Sequence, residues 1–150
     1  MQESELQYDI VPIYSQEEKR NIMCLCDVAF EKSVVKSKGF EDTFQKIHKY
    51  ADFLVAKGKE YMGYVAFYAN DAQTKQAYIS LICTHPSYKR MRVGYTLLKS
   101  AQELAKSKGM KTIKLEVYIY NTNAISFYEK NGFQKCGETD RGSMYMIKTI

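Results

Sequence analysis

A chain of 150 residues, 45% hydrophobic and 26% charged, has the size and composition of one folded globular domain, expected over residues 1–150. Its net charge of +5, from 22 Lys and Arg against 17 Asp and Glu, is spread along the chain; it suits an anionic ligand and falls short of the dense basic face that nucleic acid requires. No apolar run approaches the ~20 residues that span a membrane, the polar, acidic start MQESELQYDI does not read as a signal peptide, and Cys24, Cys26, Cys83 and Cys136 lack zinc spacing, so reduced thiols in a cytoplasmic protein without a metal are expected.

Leu6 to Ile13 reads as a first strand. Ser15, followed by Glu17 and Glu18, is an N-cap with an acidic first turn. It opens a helix expected to reach about Phe30, with Ile22, Leu25, Cys26, Ala29 and Phe30 on one face. After a polar connector, Phe40 to Tyr50 repeats Phe40, Phe44, Ile47 and His48 at helical spacing. Strands follow at 51–56 and 61–69, joined by a turn at Lys57-Gly58-Lys59-Glu60. A third strand, Ala77 to Thr84, is apolar on both faces and is expected to be buried on both sides. Three strands with short connections predict an antiparallel meander. His85-Pro86 stops the third, because proline cannot donate to a ladder.

Val93, Leu97, Leu98, Ala101, Leu104 and Ala105 predict a helix over 92–108, with Gly109 as its C-cap. Thr112 to Ile119 alternates Ile113, Leu115, Val117 and Ile119 with Lys114, Glu116 and Tyr118, the period of a strand. The helical crossover predicts that it runs parallel to the strand at 77–84. Asn121 to Lys130 is a further helix, stopped by Asn131-Gly132, and 133–136 and 144–149 close the chain as a strand pair. The order β, α, α, β, β, β, α, β, α, β, β predicts an α/β chain with a mixed sheet and helices on its faces.

Between strand and helix lies the loop Ser87-Tyr88-Lys89-Arg90-Met91-Arg92. A helix start leaves backbone N–H groups without partners and carries the positive end of the helix dipole. With Lys89, Arg90 and Arg92 added, residues 89–95 suit a phosphate-bearing ligand. A basic surface loop on an ordinary helix would look the same.

The segment resembles the acyl-CoA-binding motif of the GCN5-related N-acetyltransferase (GNAT) family, whose pattern is Gln/Arg-x-x-Gly-x-Gly/Ala after a Pro-x-Tyr turn. Here Pro86-Ser87-Tyr88 supplies the turn and Lys89-Arg90-Met91-Arg92-Val93-Gly94 lies over the motif. Gly94 matches the second glycine position; Arg92 stands at the first, and Lys89 replaces Gln or Arg. A second motif of the family lies at Asn121-Thr122-Asn123-Ala124-Ile125-Ser126-Phe127-Tyr128-Glu129-Lys130-Asn131-Gly132-Phe133. The resemblance implies a single-domain fold with a mixed, mostly antiparallel sheet, a splayed parallel strand pair and helices on both faces.

The resemblance further implies acetyl-CoA as co-substrate and direct transfer of its acetyl group to a primary amine in a ternary complex. Backbone groups of Ile82, Cys83 and Thr84 would pair with the pantetheine arm. Lys89, Arg90, Met91, Arg92, Val93, Gly94 and Tyr95 would wrap the pyrophosphate, and Asn121 would contact the cofactor or cap its own helix. Tyr128 would stand beside the thioester sulfur as a hydrogen-bond donor. Leu115-Glu116-Val117 matches the segment holding the catalytic glutamate of ribosomal-protein N-terminal acetyltransferases, which makes Glu116 the candidate base and His85 the runner-up. His48 either faces substrate or packs in its helix. The acceptor is a small molecule or a protein amine, no nucleic acid or membrane partner is expected, and the last strands of this family often support dimers. Arg92 in place of glycine keeps a second function open, an acyl-CoA-binding module without catalysis.

Overall fold

The computed structural model describes residues 7–150, so Leu6 of the first expected strand lies outside the described residues. Strands form at Asp9–Pro12 (β1), Asp52–Lys57 (β2), Tyr61–Tyr68 (β3), Gln76–Thr84 (β4), Thr112–Tyr118 (β5), Gln134–Glu138 (β6) and Ser143–Thr149 (β7). Helices form at Gln16–Cys26 (α1), Phe40–Tyr50 (α2), Val93–Ser107 (α3) and Thr122–Lys130 (α4). The seven strands make one sheet in the order β1-β2-β3-β4-β5-β7-β6. Every neighbouring pair is antiparallel except β4 and β5. This is the mixed α/β architecture expected from the order of elements.

The helical stripes decide which face each helix covers. Leu97, Leu98, Ala101 and Ala105 of α3 are buried with Val65, Phe67, Ala77, Ile113 and Leu115 from the sheet, and α4 packs on the same side through Ala124, Ile125 and Tyr128. Ile22, Met23 and Cys26 of α1 and Phe44 and Ile47 of α2 close the opposite face over Phe53, Val55, Tyr64 and Ala66. Each large side chain so buried stabilises the fold by about 1.5–3 kcal/mol.

The first helix is shorter than its apolar spacing predicts. It ends at Cys26, and a short 3-10 turn covers Asp27–Ala29. The Asp27 carboxylate accepts from the Val34 and Val35 amides at 2.8 and 3.2 Å and from Ser33 Oγ at 2.6 Å. These bonds fold the connector back on the helix end. Leu25, expected on the buried face, is 44% exposed.

β4 carries the feature that matters for function. Phe67 faces Ile79 and Ala66 faces Leu81, so Ser80 has no partner on β3. An extra residue bends its strand and shifts the alternation of its side chains. Ala77 and Ile79 therefore enter the core under α3, while Leu81 and Cys83 join the core under α1 and α2. The bend also separates β4 from β5. Their parallel ladder joins Gln76 to Thr112, Ala77 to Ile113 and Tyr78 to Lys114, then stops. Beyond it β4 stays paired with β3 as far as Thr84, and β5 with β7 as far as Tyr118. Two parallel strands thus share their beginnings and part at their carboxyl ends.

Candidate active site

The split between β4 and β5 opens beside the start of α3. His85 turns the chain: its amide donates to Met62 O at 2.8 Å, and its Nδ1 accepts from the Ser87 amide at 3.1 Å. With Nδ1 engaged by the Ser87 amide, Nε2 is the ring nitrogen left to meet another partner. The loop then passes through two left-handed residues, Arg90 at φ 70° and Arg92 at φ 59°. This conformation is uphill for any residue with a Cβ. It gives a physical reason for the glycine that the motif carries where this chain has Arg92.

Arg92 is also the N-cap of α3, and its side chain makes no capping bond. The first intrahelical bond is Thr96 N to Arg92 O at 2.9 Å. The amides of Val93, Gly94 and Tyr95 therefore point out of the helix start as donors. The Arg92 guanidinium lies 4.3 Å over the Tyr95 ring. Lys89, Arg90 and Arg92 form no ion pair with a carboxylate among the described residues.

These elements enclose a cavity of about 470 Å³. One wall is Ile82, Cys83 and Thr84 at the end of β4. The next is Tyr88, Lys89, Arg90 and the first turn of α3 from Arg92 to Tyr95; Phe127 and Tyr128 of α4 close the third side. A Cβ on Gly94 would lie 3.4 Å from Thr84 Oγ1 and 3.7 Å from the Phe127 ring, in the space between those walls. Tyr128 is 8% exposed and packs edge-on against Phe127 and Phe133. Burial, with the Cys83 thiol as a smaller cause, pushes its phenol up to about 12, so it holds its proton at neutral pH.

Most of the residues proposed from sequence meet here: Ile82, Cys83, Thr84, Lys89, Arg90, Arg92, Val93, Gly94, Tyr95 and Tyr128 all line the cavity. Met91, Asn121 and Glu116 do not. Met91 turns its side chain to the core under α3, and its carbonyl accepts from the Tyr8 hydroxyl. Asn121 caps α4, its Oδ1 accepting from the Ala124 amide at 3.2 Å. Glu116 sits on β5 past Lys114, the last of its residues to pair with β4, and on the sheet face away from α3. Its Oε2 accepts from Ser143 Oγ at 2.5 Å and from the Arg141 guanidinium at 3.1 Å. His48 stacks on Phe44 and meets the Lys19 amine, whose pKa burial lowers. Sequence reasoning missed two lining residues. Tyr88 lies inside the Pro-x-Tyr turn and Phe127 precedes Tyr128, so both sat in quoted motifs without an assigned role.

Cys83 deserves separate mention because it is a thiol on the cavity wall. It belongs to the core that also holds Cys26 and Tyr64. Its hydrogen bond with Cys26, together with burial, pushes its pKa well up. A thiol kept protonated is a poor nucleophile.

A sheet parted between two parallel strands, with a basic helix start beside the opening, defines an α/β protein whose cavity lies at the carboxyl ends of parallel strands, where backbone donors and positive charge suit an anionic ligand. The chain belongs to the acetyltransferase (GNAT) family, whose model matches residues 20–133. It is 36% identical over 80 residues to a spermidine N(1)-acetyltransferase of Thermoplasma acidophilum, covering 53% of this chain and 46% of that protein. It is 35% identical over 109 residues to a Bacillus subtilis protein named for [ribosomal protein bS18]-alanine N-acetyltransferase, covering 67% and 69%. The chain thus spans under half the length of the Thermoplasma relative and about two thirds of the Bacillus one. Among solved structures it resembles the Escherichia coli ribosomal-protein-S18-alanine N-acetyltransferase with a TM-score of 0.79 at 17% identity, covering 96% of this chain and 94% of that one. It also resembles the PaiA N-acetyltransferase of Thermoplasma acidophilum in complex with coenzyme A, with a TM-score of 0.75 at 21% identity, covering 96% and 99%.

Proposed function

We propose that the chain is an acetyl-CoA-dependent N-acetyltransferase that passes the acetyl group directly to a primary amine within a ternary complex. The observation that carries this is the end of the β4–β5 ladder at Tyr78 and Lys114, with the cavity running from the end of β4 that β5 no longer pairs to the start of α3. In this proposal backbone groups at Ile82, Cys83 and Thr84 hold the pantetheine arm. The amides of Val93, Gly94 and Tyr95, with Lys89, Arg90 and Arg92, hold the pyrophosphate.

An alkyl ammonium of pKa near 10.4 costs about 4–5 kcal/mol to deprotonate at pH 7. Glu116 is the proposed base. Its Oε2 is held by Ser143 and Arg141, which leaves Oε1 to accept from the amine. The amine nitrogen attacks the thioester carbon, the carbon–sulfur bond breaks, and the thiolate leaves as coenzyme A. Tyr128 donates a hydrogen bond to that sulfur. With its phenol at about 12 and a thiol near 8.5, full proton transfer would be uphill by about 5 kcal/mol, so the bond stabilises charge without moving the proton. The high pKa of Cys83 supports direct attack over an acetyl-cysteine intermediate.

Relatives named for spermidine and for an alanine of ribosomal protein bS18 support an amine acceptor. The cysteines Cys24, Cys26, Cys83 and Cys136 are unpaired, which supports a reducing cytoplasmic setting. A homodimer would use the open edge of β6, the last strand of the sheet. One observation favours the non-catalytic alternative: the Glu116 carboxylate is already engaged by Arg141 and Ser143.

The test is calorimetric titration with acetyl-CoA, coenzyme A and desulfo-CoA, followed by thiol release over a panel of amines that includes spermidine and an alanine-starting peptide. Micromolar binding with amine-dependent thiol release is expected. Binding without release from any amine would leave the sensing module, and no binding to any of the three would remove both.

A further inference from the structure

The loop that leads into α3 is fastened by a side chain 83 positions earlier in the sequence. The Tyr8 hydroxyl lies 3.1 Å from Met91 O and 3.1 Å from Thr96 Oγ1. Thr96 Oγ1 in turn donates to Arg92 O at 2.8 Å, and that carbonyl also accepts the Thr96 amide at 2.9 Å. With the threonine proton spent on Arg92 O, the phenol proton is left for Met91 O and Thr96 Oγ1. One hydroxyl thus ties the last residues of the loop to the first turn of the helix.

The place of this contact is what gives it meaning. Met91 stands between Arg90 and Arg92, and both of those are left-handed without being glycine. Such backbone persists only where its surroundings impose it. The Arg92 side chain makes no capping bond at this helix start. Tyr8 packs against the core under α3, and β1, which follows it, is held on β2 by four paired residues from Asp9 to Pro12. The hydroxyl therefore reaches the loop from a fixed frame. Tyr8 is not among the residues that line the cavity.

We propose that Tyr8 is a positioning residue for coenzyme binding: its hydroxyl latches the Lys89–Arg92 loop in the shape that aims the amides of Val93, Gly94 and Tyr95 at a pyrophosphate. The role depends on coenzyme binding at this loop. It assigns a part of cofactor recognition to the chain ahead of β1, outside the residues that the family model matches.

Tyr8→Phe keeps the ring in the core and removes only the hydroxyl. Its affinity for coenzyme A should fall about fivefold, equivalent to about 1 kcal/mol. The KM for acetyl-CoA should rise with kcat unchanged, and kcat/KM with S-acetylpantetheine, a donor without pyrophosphate, should match that of the original protein. Trypsin should cut after Lys89, Arg90 or Arg92 faster in the variant, by mass mapping of the first fragments. Coenzyme A affinity within twofold of the original would overturn the proposal. So would an equal loss with S-acetylpantetheine, which marks a general defect of the fold. If the original protein binds no coenzyme A, the cofactor reading itself falls; the trypsin rates then still decide whether Tyr8 holds the loop, and equal rates would remove the latch as well.

Discussion

Tyr78 and Lys114 face one another as the last parallel pair between β4 and β5. Up to that pair the sheet is continuous; past it each strand keeps only its outer neighbour. The inner edges of Leu81–Thr84 and Glu116–Tyr118 then offer main-chain donors and acceptors to something other than each other. An extended ligand rich in amides answers that demand. The bulge at Ser80 and the left-handed residues Arg90 and Arg92 are the local distortions on either side of the opening.

Arg92 sets two effects against each other. Its left-handed backbone costs about 1–2 kcal/mol relative to an ordinary conformation. Its guanidinium gains about 0.5–1 kcal/mol from the Tyr95 ring and puts a positive charge at the helix start. Arg92→Gly should therefore leave thermal stability unchanged or slightly raised, while coenzyme A affinity falls about fivefold at low salt, for about 1 kcal/mol lost. Thermal unfolding and calorimetric titration on the same variant check both halves. A glycine variant that binds as tightly as the original would show that the backbone conformation alone serves the phosphate.

Gly63 is the residue that lets β3, β4 and α3 meet. A Cβ there would lie 2.4 Å from Cys83 O and 3.2 Å from Val93 Cγ1. One contact is with cavity-wall backbone and the other with the first residue of α3. Gly63→Ala should destabilise the fold by about 1–3 kcal/mol, the usual cost of overpacking. It should also weaken coenzyme A binding, because the atoms that must give way are those of the site. Denaturant unfolding beside titration checks this, and normal binding in a destabilised variant would separate the packing of Gly63 from the site.

How much of this was legible depends on how local each signal was. Gly109 and Asn131-Gly132 marked their helix ends, and Gly109 and Gly132 are left-handed at φ 91° and 92°. The crossover from β4 to β5 followed from an apolar strand, a helical stripe and an alternating strand in order. The bulge at Ser80 left no trace, because Ile79, Ser80 and Leu81 continue a normal strand pattern and only pairing with Phe67 and Ala66 reveals the extra residue. The end of α1 was hidden because Leu25, Ala29 and Phe30 keep helical spacing while Asp27 captures the backbone ahead. The motif letters brought ten of the proposed residues to one cavity, but they could not show that Glu116 is held by Ser143 and Arg141 from the far end of the chain.

Glu116→Gln tests the base. A glutamine keeps the hydrogen bond from Ser143 and removes the charge that holds Arg141. If Glu116 takes the amine proton, kcat/KM should fall by about 10²-fold or more. The loss should be greatest at low pH, where the acceptor is hardest to deprotonate. Coenzyme A affinity should not change, because Glu116 is outside the cavity. A pH–rate profile of unaltered shape in the variant would remove Glu116 from the chemistry and leave it as the anchor of the β6–β7 turn.

Tyr128 can be tested through both rate and stability. Tyr128→Phe should lower kcat by about 10²-fold, the value of one preorganised donor at a developing charge, with coenzyme A affinity nearly unchanged. The stability test needs no substrate. A phenol at about 12 in the fold and near 10 in the unfolded chain holds its proton more tightly when folded. Its contribution is therefore fully present below pH 10 and is lost as pH rises through 12, a window in which the unfolded state binds fewer protons. Tyr64, buried and with no hydrogen-bond partner for its hydroxyl among the described residues, is shifted in the same direction by burial. Chemical unfolding between pH 9 and about 11.5 should show stability falling with pH, and the slope should be shallower in Tyr128→Phe. An equal slope in the variant would mean that the phenol titrates near its ordinary value, and a hydroxyl so exposed to water could not serve as the sheltered donor that the thiolate requires.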